Sequence, residues 1–216
     1  MTDFEKQQIR NLLWKEWRAI RDVVILCLAL VVSPCFLAIL FWESRVLDLI
    51  LAFLPTASVL ACIGLGIQSY GLEFNERTSA YLCTRPISHT RVFLVKALIG
   101  LSGAWAVGIA AALQAGGIAG FLAYQSKPIE GVQWLIEWQI HWLFIAPATF
   151  LLVQVMMLLI PPMVPALIAS IAVGLLTPQV MMGKPTVVLP LMPVLLVGLG
   201  FLCYHLARWR MRHATG

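Results

Sequence analysis

The sequence predicts an all-α, polytopic membrane protein with six transmembrane helices. Hydrophobic residues make up 61% of the 216 residues and charged residues 12%, and the mean hydropathy is +0.89. This leaves too little polar side-chain surface to cover a water-soluble domain of this length. The apolar residues fall into long blocks without the alternation of barrel strands, so the predicted spans are helices.

Six apolar blocks have the length that a membrane-crossing helix needs, roughly 20 residues. The blocks cover residues 23–42, 47–70, 92–124, 142–160, 163–182 and 187–206. We therefore predict a single transmembrane domain that occupies the whole of residues 1–216.

The segment before the first block, residues 3–21, has the pattern of an amphipathic helix. Apolar residues recur there at helical spacing, and the basic residues fall mostly on other faces. We predict an interfacial helix along the inner membrane surface, in which Lys15, Glu16, Trp17 and Arg18 are the residues of interest. Glu16 lies among the apolar residues, so it is expected to face a basic side chain or a backbone amide of another segment. A solvated carboxylate at the interface is the alternative.

The distribution of lysine and arginine predicts the orientation. With a cytoplasmic N-terminus, only Arg45, Lys127 and Lys184 of the 15 basic residues fall on the outer side. The positive-inside rule then places both termini in the cytoplasm and the chain in the cell membrane, inner or plasma. The same flanking charges explain the net charge of +5 without a nucleic-acid partner.

Two polar segments separate the apolar blocks. Residues 71–91 are predicted to form a cytoplasmic loop with a short helix that Arg85-Pro86 ends, because the residue before proline is disfavoured in a helix. Ser88 suits the N-cap of the helix that follows. Residues 125–141 are predicted to form an outer interfacial segment. A simple solvated loop is the alternative for the first segment, and residues 175–191, which contain three prolines, are compatible with a re-entrant segment.

The third block carries a ladder of small residues at four-residue spacing, which permits another helix to approach closely. Its members are Gly100, Ala104, Gly108, Ala112, Gly116 and Gly120. A partner helix of the same subunit is favoured, and a helix of a second subunit remains the alternative.

Two motifs in the first hundred residues resemble those of one transporter family. The sequence LLWKEWR at 12–18 is followed, one helical hairpin later, by E-x-x-ERT-x-x-YL-x-TRPIS-x-x-R-x-x-x-x-K. Together they resemble the permease subunits of type-2 ABC transporters. Lys15 and Glu16 match the family's Lys-Glu pair, and Arg77 stands where the family usually has glycine. The matching loop residues are Glu73, Glu76, Thr78, Leu82, Pro86, Ile87, Ser88, Arg91 and Lys96.

The resemblance implies a function and a set of partners. The loop would couple the chain to a separate ATP-binding subunit, present in two copies, and a second permease, identical or related, would complete the assembly. ATP and Mg²⁺ would be bound by that partner, while this chain would bind no cofactor and catalyse no reaction itself. The implied coupling residues are Glu73, Glu76, Arg77, Thr78, Arg85, Pro86, Ser88 and Arg91.

The absence of an ATP-binding motif and the positions of the acidic residues agree with an exporter that is powered by a separate subunit. The sequence has no G-x-x-x-x-G-K-[ST] motif, since the lone Gly183-Lys184 is followed by Pro185. No cysteines have the spacing of metal ligands. All ten acids fall at the predicted span ends or in loops, whereas ion-coupled carriers commonly place ionisable groups within the membrane. A secondary transporter or channel, and a non-transporting membrane scaffold, are the alternatives.

Overall fold

The structure, a computed structural model, describes residues 3–40, 46–68, 89–124, 129–160, 163–183 and 185–213. These residues form six helices, and the all-helical fold predicted from the sequence is confirmed for them. The helices are α1 (Asp3–Leu40), α2 (Val46–Gly66), α3 (His89–Tyr124), α4 (Ile129–Leu159), α5 (Met163–Gly183) and α6 (Pro185–His213).

Three helical stretches of the described chain are long and apolar enough to cross a membrane. They are Thr90–Ile118 in α3, His141–Leu159 in α4 and Pro190–Trp209 in α6. Two further apolar stretches, Thr56–Gly66 and Val164–Leu176, are shorter. The helices are thus compatible with a membrane protein, and three of the six predicted spans are matched by stretches of sufficient length and hydropathy.

Helix α1 differs from the two elements predicted for this part of the chain. It continues without a break across the boundary between the predicted interfacial helix, 3–21, and the predicted first span, 23–42. Its 38 residues correspond to about 57 Å at the rise of an α-helix, nearly twice the hydrocarbon thickness. No glycine or proline stands near the predicted boundary to end the helix. A continuous buried stripe joins the two halves: Leu12, Glu16, Ile20, Val24, Cys27 and Val31.

Two other predicted segments are also absorbed into helices. Helix α4 starts at Ile129, so most of the predicted outer segment 125–141 is continuous with the candidate span His141–Leu159. Pro178 lies near the end of α5, and Pro185 and Pro190 lie at the beginning of α6, so the segment 175–191 is divided between two helices. Pro185 is the first residue of α6, where the missing N–H of proline costs no helical hydrogen bond.

Helix α4 forms the centre of the described fold. It packs against α2, α3, α5 and α6, and its contact with α3 is the most extensive. In its spanning stretch 72% of the residues are buried, compared with 17% for the stretch in α6. Trp142, Ile145, Phe150 and Leu158 are among its fully buried side chains. Helix α6 is therefore peripheral among the described residues, with most of its apolar surface exposed.

The small-residue ladder of α3 packs on α4 over its first half. A Cβ atom at Gly108 would lie 2.8 Å from the carbonyl oxygen of Trp142, and one at Gly100 would overlap the Phe150 ring. Ala104, between them, is fully buried. The pairing of 100 with 150 and of 108 with 142 shows that α3 and α4 are antiparallel. The partner of this half of the ladder is therefore in the same chain, as the sequence favoured.

The second half of the ladder is less enclosed. Ala112 and Gly116 are half-buried, and Gly120 is exposed. A Cβ atom added at Gly120 would have no atom of the described residues within 4 Å. Among the described residues, the close approach of α3 and α4 is seen at Gly100 and Gly108.

Candidate coupling site at the base of helix α3

A buried ion pair joins the first helix of the chain to the beginning of α3. Lys96 Nζ donates a hydrogen bond of 2.7 Å to Oε2 of Glu16, across 80 positions of sequence. The side chains of Lys96 and Glu16 are only 4% and 7% exposed. The basic partner expected for Glu16 is therefore confirmed, and the partner is the lysine that ends the loop motif.

The surroundings of this pair are apolar. Leu12 and Ile20, one turn to either side of Glu16, are buried, as are Phe93 and Ile99 of α3. Removing a charged group from water costs several kcal/mol, which the attraction of the opposite charge offsets only while the two remain together. The second carboxylate oxygen, Oε1, has no hydrogen-bond partner among the described residues. The stability of this carboxylate therefore depends strongly on Lys96.

Helix α6 holds the same end of α3 through Tyr204. The Tyr204 ring meets the Phe93 ring edge to face, with 5.3 Å between centroids. Its hydroxyl and the Thr90 hydroxyl share a hydrogen bond of 3.3 Å. The first two turns of α3 are thus attached both to α1, through an ion pair, and to α6, through a tyrosine.

Replacing Tyr204 by phenylalanine is expected to have a small effect. The ring contact with Phe93 is kept while the hydrogen bond to Thr90 is lost, so the free energy of unfolding should fall by about 0.5–1.5 kcal/mol. Urea unfolding of the detergent-solubilised protein, followed by circular dichroism, measures this. A loss as large as that of Tyr204→Ala would mean that the hydroxyl matters more than the ring contact.

The predicted coupling residues divide between the described and the undescribed parts of the chain. Those of the loop itself lie outside the described residues: Glu73, Glu76, Arg77, Thr78, Arg85, Pro86 and Ser88. Arg91 is half-buried in the first turn of α3. Because α3 begins at His89, the ion pair and the tyrosine contact lie within about two turns of the end of that loop.

The residues predicted for the interfacial helix point in different directions. Glu16 is buried against α3, whereas Lys15, Trp17 and Arg18 are exposed. The Arg18 guanidinium lies 5.6 Å from the centre of the exposed Trp14 ring. Neither Trp14 nor Tyr204 was among the predicted site residues: Trp14 lies in the LLWKEWR motif but has no role there in the resemblance, and Tyr204 lies outside both motifs. The only available signal was their aromatic character near predicted span ends.

Two glutamines add polar groups to the interior. Gln114 of α3 and Gln154 of α4 are buried, and neither side-chain amide has a hydrogen-bond partner among the described residues. Since Gly100 packs on Phe150 in an antiparallel pair, one further turn brings Gln154 to the level of Lys96. A neutral hydrogen-bonding group therefore lies at the same depth as the ion pair.

An apolar groove of about 610 Å³ opens between α3, α4 and α6. Its walls come from the three long apolar stretches, and none of its lining residues is ionisable. The lining residues are Leu98, Leu101, Ser102, Trp105, Ala106, Ile109, Pro147, Leu151, Leu196, Val197 and Gly200. Such a surface suits hydrocarbon rather than a polar solute, and it offers no acid, base or nucleophile pair for catalysis.

Metal binding finds no support in the described part of the chain. Among these residues there is no group of three or more His, Cys, Asp or Glu side chains that could hold a metal ion. Cys27, Cys62 and Cys203 are free and buried. The Cys27 thiol donates to the Ala61 carbonyl oxygen at 3.4 Å, so it contributes to the packing of α1 on α2.

Comparisons of the chain with protein-family models, with curated proteins and with solved structures find no match. The geometry and chemistry of the residues themselves are therefore the basis for assigning a function.

Proposed function

We propose that the chain is the membrane-spanning permease subunit of an ATP-driven ABC exporter. The observation that carries the proposal is the buried ion pair between Glu16 and Lys96. A permease must convert movement of its ATP-binding subunits into movement of membrane helices, which requires a stiff connection near the docking loop. The ion pair provides such a connection within two turns of the loop's end.

The contacts indicate how movement would spread. A displacement of the loop acts on α3 directly through His89, its first residue. Helix α3 would carry α1 with it, because separating Glu16 from Lys96 leaves the buried Glu16 carboxylate without its counter-ion. Tyr204 would transmit the displacement to α6, which forms one wall of the apolar groove. Rigid-body shifts of packed helices of this kind are a common form of conformational switching.

The proposed assembly has the partners implied by the loop motif. Two ATP-binding subunits bind ATP and Mg²⁺ and dock on residues 71–91, while a second permease, identical or related, completes the membrane part. Both termini face the cytoplasm, and the chain lies in the cell membrane. The substrate pathway involves apolar surfaces, which suits a bulky or amphipathic substrate better than a small ion.

A proton-coupled carrier is the second candidate, because of one specific observation. Lys96 lies within the candidate span Thr90–Ile118, and Glu16 is a second ionisable group buried against it. Ion-coupled carriers use such groups as relays. The two candidates differ in their energy source, so the same reconstitution distinguishes them.

The experiment is an ATPase assay in proteoliposomes. The tagged chain is purified from its native membranes, and a P-loop ATPase that co-purifies with it is reconstituted together with it. Glu76→Lys combined with Arg85→Glu is expected to abolish the stimulation of ATP hydrolysis by the permease. The matched control reverses two charges of the predicted outer segment, Lys127→Glu with Glu130→Lys, and should retain stimulation.

Two results would contradict the proposal. One is full stimulation by the Glu76/Arg85 variant. The other is a chain that purifies without an ATPase and moves solute down a proton gradient in the absence of ATP, which would favour the carrier.

A further inference from the structure

The exposed face of the first half of α1 combines basic and aromatic side chains. Arg10, Lys15 and Arg18 are exposed, as are Trp14 and Trp17, which are 60% and 41% accessible. We propose that this face binds the anionic headgroups of membrane phospholipids. The inference rests on the membrane placement proposed above, and it assigns a ligand to a surface that the coupling mechanism does not use.

Two contacts fix the depth of this face relative to α3. Glu16 pairs with Lys96, and Val24 packs on Gly103: its Cγ2 lies 3.3 Å from the position that a Cβ atom on Gly103 would occupy. From the first contact to the second, the residue numbers of α1 and of α3 both increase, so the two helices run in the same direction at nearly constant register. The depth of a residue in this part of α1 along the helix axes therefore equals that of the α3 residue beside it.

The register places the tryptophans at the membrane boundary. The candidate span Thr90–Ile118 has 29 residues, about 43 Å of helix, which equals the thickness of a bilayer with its headgroups. Lys96 lies about 9 Å inside the beginning of that span. By this register, Trp14 and Trp17 lie within one helical turn of the depth of Lys96, and Arg10 lies further from the centre of the membrane. Tryptophan is enriched at this depth, where its amphipathic ring suits the interface.

Among the acidic residues of α1 whose side chains are described, none neutralises the positive charge of this face. Glu16 turns inward to Lys96, and Asp22 pairs with Arg21 at 3.0 Å. The guanidinium of Arg18 lies over the Trp14 ring, which orients its hydrogen-bond donors without neutralising them. Guanidinium groups bind phosphate oxygens through two parallel hydrogen bonds. Phosphate diesters of lipid headgroups therefore match both the charge and the donors of this face.

The depth favours a lipid over a soluble acidic protein. A soluble partner would have to enter the headgroup layer to reach Trp14 and Trp17, whereas lipids already occupy that layer. Basic residues interspersed with tryptophan on one helical face are typical of binding to anionic membrane surfaces.

The test measures lipid selectivity next to the two tryptophans. The full chain is reconstituted in phosphatidylcholine vesicles that contain a minor fraction of brominated phosphatidylglycerol or of brominated phosphatidylcholine. Bromine quenches nearby tryptophan emission, and the Trp14→Phe/Trp17→Phe variant defines the contribution of these two rings. We expect stronger quenching by the anionic lipid in the wild type.

Removing the charges should remove the selectivity. Each basic residue near an anionic surface changes lipid association by about fivefold, so Arg10→Gln/Lys15→Gln/Arg18→Gln should lower the relative association constant by at least that factor. High salt should weaken the selectivity of the wild type. The matched control is Arg208→Gln, which removes an exposed arginine of α6 and should leave the selectivity unchanged.

The possible failures are distinguishable. Equal quenching by both lipids in the wild type, or selectivity that survives the triple substitution, overturns the lipid-binding inference but leaves the proposed function standing. The first result is also the one expected if an acidic protein were the real partner of this face. A chain that does not remain with the vesicles after alkaline extraction overturns the membrane placement and the proposed function together.

Discussion

Replacing Glu16 by glutamine, or Lys96 by methionine, is expected to lower the free energy of unfolding by about 3–5 kcal/mol. Each substitution separates a buried charge from the partner that the ion pair provides. Glu16→Gln removes the carboxylate that the Lys96 ammonium contacts, and Lys96→Met leaves a buried carboxylate that already has one oxygen without a hydrogen bond among the described residues. Unfolding in mixed detergent micelles, followed by circular dichroism, measures the effect.

The double variant separates the ion pair from the packing around it. Glu16→Gln with Lys96→Met buries no charge, so it should be markedly more stable than either single variant, and the difference gives the coupling energy. Arg21→Gln is the matched control, because it breaks an exposed pair in the same helix and should cost no more than about 1 kcal/mol. Additive effects of the two single substitutions would contradict a direct interaction.

The double variant also tests the role of the pair in coupling. If the ion pair only stabilises the fold, a stable uncharged variant should stimulate the ATPase as the wild type does. If it transmits movement from α3 to α1, stimulation should fall although the protein remains folded. This measurement distinguishes a coupling contact from a structural one.

The environment of Glu16 was predictable from the sequence, but its partner was not. Its place in the apolar stripe between Leu12 and Ile20 requires a compensating group, which is a local argument. Lys96 lies 80 positions away, and only the packing of α1 along α3 brings the two together. One sequence contains no direct information about that register. The Thr90–Tyr204 contact, which spans 114 positions, was unpredictable for the same reason.

The predicted boundary within α1 shows a different limit. Hydropathy changes sharply near Asp22, and the prediction divided the segment there. A helix, however, ends where its backbone hydrogen bonds end, and no residue near Asp22 interrupts them. A change in composition is therefore not sufficient to locate the end of a helix. The small-residue ladder was more informative, because close helix packing depends on residue size and spacing, both of which are explicit in the sequence.

Replacing Gly108 by alanine is expected to destabilise the contact between α3 and α4. The added Cβ would lie 2.8 Å from the Trp142 carbonyl oxygen and 3.0 Å from the Ala146 Cβ, so the helices must separate. Overpacking of this kind typically costs about 1–3 kcal/mol. The upper part of that range is expected because the nearest atom belongs to the backbone and cannot rotate away. Thermal unfolding in detergent measures the change.

The matched control is the same substitution at Gly120. An alanine there would contact none of the described residues, and alanine is favoured over glycine within a helix by about 0.5–1 kcal/mol. Gly120→Ala should therefore be neutral or slightly stabilising in the isolated subunit. If it instead weakens a cross-linked dimer, the second half of the ladder faces another subunit. Equal stability of Gly108→Ala and Gly120→Ala would contradict the close α3–α4 packing, and with it the rigid base from which α3 is proposed to move α1 and α6.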